Sequence, residues 1–201
     1  MKTGNRRDTT VKLTLFALLT ALLIVLGYVN IPQPAGLSIT FNMIPVAIAA
    51  IAMGVGGGAL LGGVFGLISF LQCFGIVGFS GMGAVLVGIS PVLCFIQRFG
   101  SRVLVGVLAA LVYKALNKRM NAYMSCMITG FSAAFFNTLF FMSSLVLLFG
   151  NTEYIQGLMD GRGVFACIIA SVGVNAVVEM IVAAVVTGAV GAALKKAKLI
   201  S

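Results

Sequence analysis

Histidine and tryptophan are absent from this 201-residue chain, and Asp and Glu together number only four. Without histidine, the chain lacks the commonest metal ligand and the side chain that most readily acts as an acid or base near neutral pH. Charged residues make up 8% of the sequence, whereas a soluble domain has about 25%. The chain therefore has too little polar surface to cover a soluble globule, and its composition argues against a metal centre.

Cysteine is sparse and lacks a metal-binding pattern. Cys73, Cys94, Cys126 and Cys167 lie in or at the ends of apolar runs, and none of them has C-x-x-C spacing. We expect them to be small buried hydrophobic residues, with disulfide pairing left open. A G-x-x-x-x-G-K-[ST] phosphate loop is also missing, because the glycine-rich run at 54–66 has no lysine. The chain is therefore not expected to hydrolyse ATP itself or to hold a cofactor.

Long apolar runs occupy most of the sequence. Hydrophobic residues make up 61% of the chain, the mean hydropathy is +1.17, and about 20 apolar residues suffice for one transmembrane helix. Glycine, proline and polar segments divide the apolar sequence into six predicted spans. They cover Val11–Val29, Phe41–Met53, a third run that follows the glycines at 54–58 and ends near Phe74, Pro91–Leu116, Ala122–Phe149 and Val164–Leu194. Because the turn at 54–58 carries no charge, the second and third runs could instead form one kinked helix.

Basic residues mark the orientation. They cluster before the first run, in the break after the fourth and at the end of the chain, as Lys2, Arg6, Arg7 and Lys12, as Lys114, Lys118 and Arg119, and as Lys195, Lys196 and Lys198. Short loops rich in Lys and Arg stay cytoplasmic, and six spans place all three clusters on one side. The predicted fold class is therefore an all-α integral membrane protein with six transmembrane helices and cytoplasmic termini, in which residues 1–201 form one domain. The basic residues sit at membrane boundaries, which argues against nucleic acid binding.

Polar side chains inside the spans are the main functional candidates, because a charge at the bilayer centre costs at least about 2.5–3.5 kcal/mol on the insertion scale. Arg98 and Arg102 are four residues apart and share a helix face, as do Ser171, Asn175 and Glu179. A polar pocket that opens outward is predicted from Gln72, Gln97, Arg98, Arg102, Asn137, Thr138, Asn175 and Glu179. The positive surplus suits a ligand with a carboxylate or phosphate. The alternative is a structural Arg–Glu pair, with asparagines joining the helices.

Small residues at a spacing of four indicate close helix contacts. One stripe consists of Gly54, Gly58, Gly62 and Gly66. We interpret it mainly as internal packing. Ala17 and Ala21 form a shorter pair on the first helix, which could pack internally or dock another membrane subunit.

Four segments give the chain a family resemblance. They are L-T-L-F-A-L-L-T-A-L-L at 13–23, I-P-Q-P-A-G-L-S-I-T-F-N-M-I-P-V at 31–46, F-G-L-I-S-F-L-Q at 65–72 and R-F-G-S-R-V-L-V-G-V-L-A at 98–109. With the basic N-terminus and the glycine stripe, they make the chain similar to a substrate-binding S component of an energy-coupling factor (ECF) vitamin transporter. Within that family the chain most resembles the pantothenate and pyridoxine branches.

The resemblance implies a six-helix, multi-pass protein of the bacterial cytoplasmic membrane. Its Ala-x-x-x-Ala docking surface corresponds to Ala17 and Ala21. It also implies partners, namely a transmembrane scaffold subunit and two cytoplasmic ATPases that use the ATP. The S component would bind a vitamin from outside, topple in the membrane and release the vitamin inward, so the chain itself would not be an enzyme.

Pantothenate is the leading ligand. It carries a carboxylate for Arg98 or Arg102 and hydroxyl and amide groups for Asn137 and Asn175. A pyridoxine-type vitamin is the close alternative. Riboflavin or another vitamin is a further alternative ligand for the same transport role. Two other classes stay open: an intramembrane enzyme that uses Glu179, and a structural or channel subunit. The Pro/Gly-rich loop at 30–40 and the Gly-rich, irregular loop at 75–88 are predicted to close over the bound ligand.

Overall fold

Long helices dominate this chain in a computed structural model. The structure describes residues 2–29, 31–32, 38–159, 164–197 and 199–200, and of these residues 2–8, 31–32, 38–39, 158–159, 164–172 and 174 are described by their backbone alone. The elements are α1 (Lys2–Tyr28), β1 (Ile31–Pro32), β2 (Ser38–Ile39), α2 (Met43–Leu71), a 3₁₀ turn (Gln72–Phe74), α3 (Gly81–Ile89), α4 (Pro91–Phe95), a π-helical turn (Ile96–Gly100), α5 (Ser101–Leu116), α6 (Ala122–Phe149), α7 (Glu153–Met159) and α8 (Val164–Lys196).

Five helical segments in the described part of the chain are long and apolar enough to cross a membrane. They are Thr9–Tyr28, Met43–Phe74, Pro91–Leu116, Ala122–Phe149 and Asn175–Lys196. The predicted all-helical fold is therefore confirmed. The predicted count of six spans is not confirmed, because the second and third predicted runs lie in one element. The cytoplasmic position of the termini stays a prediction.

The chain reverses direction inside α2, at Gly54. Gly54 has φ +69° and ψ −156°, a conformation that is open to glycine but rarely to other residues. A Cβ on Gly58 would contact the Ala50 side chain, although eight residues of straight helix separate their ends by about 12 Å. The element therefore consists of two antiparallel arms, 43–53 and 55–71. The turn predicted at 54–58 lies at Gly54, and the remaining glycines belong to the returning arm.

Three segments depart from the predicted boundaries. Helix α1 begins at Lys2 rather than at Val11, so it extends beyond the apolar run. The segment at 75–88, predicted to be irregular, contains most of α3. Ser80 accepts a hydrogen bond from the Gly83 amide (3.2 Å), and Met82 and Leu86 are buried. A cap and tertiary packing therefore stabilise a helix that its glycines disfavour. The segment between the fifth and sixth predicted spans likewise contains the short helix α7.

The Pro/Gly-rich segment at 30–40 forms a minimal antiparallel ladder. Ile31 pairs with Ile39, and Pro32 pairs with Ser38. Residue 30 and residues 33–37 lie outside the described part of the chain. The predicted gating role of this loop therefore stays a prediction, as does that of the segment at 75–88.

The glycine stripe packs the returning arm of α2 against α5 and the π-helical turn. A Cβ on Gly58 would collide with the Gly106 carbonyl group, one on Gly62 with the backbone of Arg102, and one on Gly66 with the backbone of Phe99. Backbones that approach this closely leave no room for a side chain. The interpretation of the stripe as internal packing is therefore confirmed for Gly58, Gly62 and Gly66, whereas Gly54 forms the turn.

Gly58 and Gly56 offer a matched test of this packing. Gly58→Ala should destabilise the purified protein by about 1–3 kcal/mol, because the new methyl group must push two helix backbones apart. Gly56 lies two residues earlier in the same arm, and a Cβ there meets nothing within 4 Å. Gly56→Ala should therefore be neutral or stabilising, since alanine is the better helix former. Thermal unfolding in detergent measures both variants, and equal melting temperatures would contradict the close contact.

The second and third basic clusters lie at the same end of the bundle. Lys195 donates a hydrogen bond to Asn117, so the end of α8 lies beside the break at 117–121. Tyr113, Cys126 and Ile200 form a small apolar cluster at that end, and Leu15 of α1 packs against it. This arrangement agrees with the predicted single basic side of the protein.

Candidate ligand-binding cavity

A polar cavity lies among α2, the π-helical turn, α5, α6 and α8. Its volume is about 100 Å³, compared with about 10–15 Å³ for a single water on the same measure. It is lined by Thr40, Asn42, Phe65, Ser69, Gln72, Phe79, Ser80, Met82, Arg98, Arg102, Asn137, Thr138, Phe141, Met142, Asn175, Ala176 and Glu179. Arg102 lies in the first turn of α5 and Lys114 in its last turn. The cavity therefore lies at the end of α5 opposite the basic residues that follow it.

Most of the predicted pocket residues meet at this cavity. Gln72, Arg98, Arg102, Asn137, Thr138, Asn175 and Glu179 all line it. Gln97 is the exception: its side chain is 1% exposed and its Nε2 lies 3.4 Å from the Phe141 carbonyl oxygen, to which it donates. Gln97 therefore joins the π-helical turn to α6. Ser171, the first residue of the predicted stripe on α8, lies outside the described side chains. Whether these residues bind a ligand stays a prediction.

Gln72 connects the cavity to the first helix. Its Nε2 donates to the Gly27 carbonyl oxygen at 2.9 Å. Gly27 lies in the last turn of α1, where helix carbonyl groups lack partners within the helix. Gln72 therefore ties the C-terminal end of α1 to the 3₁₀ turn beside the cavity.

Arg98 is held in place by two serines from different elements. Its Nη1 donates to Ser69 (3.0 Å) and its Nη2 donates to Ser80 (3.2 Å). Ser80 also caps α3, so Arg98 joins the returning arm of α2 to the segment predicted to act as a gate. The arginine belongs to a π-helical turn, a local widening that often occurs at functional sites.

Arg102 makes fewer side-chain hydrogen bonds than Arg98. Its Nη1 donates to Ser101 at 3.0 Å, and Ser101 in turn donates to the Gln97 carbonyl oxygen. The guanidinium carbon lies 4.8 Å from the centre of the Phe141 ring and 5.3 Å from that of Phe65. Both distances are within the range of a cation–π attraction.

Arg98 also lies over Phe141, at 5.3 Å. The ring of Phe141 therefore contacts both arginines.

Neither of these two arginines forms an ion pair within the described part of the chain. Each of them is 5% exposed. Glu179 lines the same cavity but forms no ion pair with either arginine. Its Oε1 accepts a hydrogen bond from the Thr40 backbone amide at 2.8 Å, which secures the end of the segment at 38–40. Glu179 attracts Arg102 over a longer distance, and the alternative of a structural Arg–Glu pair stays open.

Several buried polar atoms around the cavity have no hydrogen-bond partner among the described residues. They are both side-chain amide atoms of Asn42, the Nε atoms of Arg98 and Arg102, and the Oδ1 atom of Asn137. An unsatisfied buried polar group costs about 1–3 kcal/mol, and proteins rarely retain many of them. Their concentration at one cavity leaves donors and acceptors there that a polar ligand could use.

Sequence patterns missed a part of the lining. The missed residues are Thr40, Asn42, Phe65, Ser69, Phe79, Ser80, Met82, Phe141, Met142 and Ala176. The i, i+4 spacing could have found Phe141 from Asn137 and Met142 from Thr138, because those pairs share a helix face. No helical spacing links Thr40, Asn42 or Ser80 to the predicted pocket residues, since they lie at or before helix starts.

Ala17 and Ala21 lie on the outer face of α1. Both are exposed, whereas Leu19 and Leu23 are 5% and 0% exposed and face the core. Of the membrane-length part of α1, 17% is buried inside the fold, compared with 67% for α2. The alternative of internal packing is therefore wrong for this pair, and the predicted docking role stays a prediction.

Three cysteines are free and buried, as predicted for small hydrophobic residues. The Sγ atoms of Cys73 and Cys94 lie 3.8 Å apart, and Cys126 packs in the cluster near the break at 117–121. None of the three lines the cavity. Cys167 lies outside the described side chains.

A bundle of membrane-length helices that encloses a buried, positively charged cavity is typical of a membrane protein that binds a small polar molecule. The chain matches the family described as "ECF transporter, substrate-specific component" over residues 11–191. It belongs to that family, and the resemblance found in the sequence is confirmed.

One curated relative is similar over its full length. The chain is 30% identical to the pantothenic acid transporter PanT of Lactococcus lactis subsp. cremoris (strain MG1363), in an alignment of 209 residues that covers 98% of both proteins. The family consists of transporter components located in membranes, so transport and a membrane location follow from it.

Proposed function

We propose that this chain is the substrate-specific subunit of an ECF importer and binds pantothenate. The buried arginines that line the cavity without an ion pair in the described part of the chain carry the proposal. A buried charge is costly unless it is paired, and an anionic ligand would supply the missing charge. The relative is named a pantothenic acid transporter, and pantothenate is a carboxylate.

Arg102 is assigned to the ligand carboxylate. It makes one side-chain hydrogen bond, to Ser101, whereas Arg98 makes two, to Ser69 and Ser80. Because the Arg102 guanidinium group makes fewer hydrogen bonds within the protein, it can present a pair of parallel donors to a carboxylate. Arg98 then serves mainly to hold the cavity wall and to add positive charge.

The neutral groups of pantothenate are assigned to α6 and α8. Asn137 and Thr138 lie side by side on α6, and Asn175 faces the same cavity from α8. The Oδ1 atom of Asn137 is buried without a partner, so it can accept from a ligand hydroxyl or amide N–H. Hydrogen bonds of this kind fix the orientation of a ligand whose charge is held elsewhere.

The chain would deliver the vitamin across a bacterial cytoplasmic membrane. The reversal at Gly54 supports six membrane crossings, although the arm at 43–53 is only about 16 Å long as a helix. The cavity would then face outward, with the basic clusters and both termini in the cytoplasm. Ala17 and Ala21 would dock a transmembrane scaffold subunit whose two ATPases supply the energy, so the chain itself needs neither a cofactor nor an enzymatic activity.

Titration calorimetry on detergent-purified protein tests the ligand. Pantothenate should bind saturably, whereas pantothenol, in which an alcohol replaces the carboxylate, should bind at least about 100-fold more weakly because the charge-assisted bond is lost. Pyridoxine and riboflavin serve as alternative vitamins, and native mass spectrometry identifies any ligand that copurifies. Tight binding of pyridoxine or riboflavin without pantothenate binding would reject the assignment, and equal affinities for pantothenate and pantothenol would reject the role of the arginines.

A further inference from the structure

Asn42 occupies a capping position without capping the helix. It directly precedes Met43 at the start of α2, where asparagine normally accepts a hydrogen bond from an amide of the first helical turn. Its side chain makes no such bond. The residue is 0% exposed and lines the cavity, and neither Oδ1 nor Nδ2 has a partner among the described residues. Its one donor group and one acceptor are thus buried at the cavity and unused.

The surroundings of Asn42 favour a neutral ligand group. Asn42 is two residues from Thr40, whose amide donates to Glu179, so it lies on the side of the cavity that carries the acidic residue. An anionic group placed there would be repelled by Glu179. A carboxamide side chain instead complements a group that accepts and donates at once, as a hydroxyl or a secondary amide does.

We propose that Asn42 is a specificity-determining residue that recognises the uncharged hydroxyl or amide end of the ligand, while Arg102 holds the anionic end. The inference rests on the proposed function. It adds the requirement that the ligand carry a hydroxyl or amide group, which charge recognition by the arginines does not impose. A site built to hydrogen-bond a substrate hydroxyl rejects an analogue that lacks it far more strongly than an apolar site does. Small carboxylates without a polar far end should therefore be excluded.

A cycle of two proteins and two ligands tests this role. The proteins are the wild type and Asn42→Leu, and the ligands are pantothenate and a dideoxy analogue in which hydrogen replaces both hydroxyl groups. The wild type should bind the analogue about tenfold or more weakly, the effect of losing one or two buried hydrogen bonds. Asn42→Leu should bind pantothenate about tenfold more weakly and should discriminate against the analogue less than the wild type does.

Ligand-free stability separates recognition from a structural role. Asn42→Leu removes two unsatisfied polar atoms, so the melting temperature of the ligand-free protein should stay the same or rise. Thr187→Val is the matched control, because Thr187 is also 0% exposed with an unpartnered hydroxyl and lies outside the cavity lining. It should leave both ligand affinities unchanged. Asn42→Ser, which shortens the side chain, provides a second variant should the leucine variant fail to fold.

The outcomes of this cycle are distinct. If the wild type binds pantothenate and the Asn42 variants bind it as tightly, or discriminate against the analogue as the wild type does, the role of Asn42 is overturned and the proposed function stands. A lower ligand-free melting temperature in both Asn42 variants, with unchanged discrimination, would also overturn it in favour of a structural role. If the wild type does not bind pantothenate, the proposed function fails, and this inference fails with it.

Discussion

Replacing Arg102 with alanine should lower the affinity for pantothenate by about 100-fold or more. Arg102 is 5% exposed and forms no ion pair in the described part of the chain, so the ligand carboxylate would form its main ionic contact. A charge-assisted hydrogen bond contributes about 1.5–3 kcal/mol, and a bidentate pair contributes two such bonds. Titration calorimetry on the purified variant measures the loss. Unchanged affinity in a folded Arg102→Ala variant would remove the anionic-ligand argument.

Variants at neighbouring charges show whether this loss is specific. Arg102→Lys should bind with intermediate affinity, because the charge remains and the planar fork does not. Arg98→Ala should lower both affinity and thermal stability, since Arg98 also holds Ser69 and Ser80. Glu179→Gln should have a small effect, because an amide oxygen can still accept from the Thr40 amide. If Arg98→Ala lowers the affinity as much as Arg102→Ala while Arg102→Lys retains it, binding depends on the net charge of the cavity rather than on one arginine.

Replacing Ala17 and Ala21 together with tryptophan should abolish vitamin uptake and leave binding intact. Both residues are exposed on α1, away from the cavity lining. Helices in lipid associate most closely through small residues, and a bulky indole would hold the scaffold subunit away. Uptake of labelled pantothenate into cells that express the complete importer measures transport, and calorimetry on the isolated subunit measures binding.

Val25 provides the matched control for this experiment. It lies one turn beyond Ala21 on the same helix and is 59% exposed. Val25→Trp adds similar bulk to the outer face of α1 without changing the small pair, so uptake should be largely retained. Normal uptake by the Ala17→Trp, Ala21→Trp variant would rule out docking at this pair. Loss of uptake in the Val25 variant as well would show that the whole face, rather than the two alanines, makes the contact.

The separation of cavity and outer face explains why these predictions are independent. Leu19 and Leu23 of α1 enter the core, whereas Ala17 and Ala21 face away from it. The wall of the cavity comes from other elements, and α1 reaches its edge through the Gln72 hydrogen bond to Gly27. A substitution on the outer face therefore leaves the ligand contacts in place.

Helix positions were largely predictable because hydrophobic runs and glycine turns are local signals. The runs at Pro91–Leu116 and Ala122–Phe149 match the membrane-length helical segments in the structure. Helix α3 was missed, because burial of Met82 and Leu86 stabilises a helix whose glycines predict a loop. The reversal at Gly54 was detectable as a turn, but its sharpness depends on a backbone conformation that composition does not specify.

Pocket residues were predictable where a polar side chain lies inside an apolar, membrane-length run. Arg98, Asn137 and Glu179 stand out in apolar runs because each would be costly in lipid without a partner. Gln97 satisfied the same criterion, yet it donates to a backbone carbonyl group between helices. Asn42 was missed because a polar residue at a helix start has an ordinary local explanation as a cap.

The sequence by itself determined that this chain is a helical membrane protein with intramembrane polar residues. Both features can be read locally, because long apolar runs favour a membrane and a charged residue within such a run is costly there. Its motifs also established the family. Only the tertiary structure decided how the charges are paired. Glu179 is four residues from Asn175 on α8, and nothing in that spacing shows that its carboxylate accepts from the Thr40 amide rather than pairing with Arg102. Hydrogen-bond partners separated by 139 residues depend on how the helices pack. That packing leaves the Nε atom of Arg102 and both side-chain amide atoms of Asn42 at the cavity without hydrogen-bond partners among the described residues.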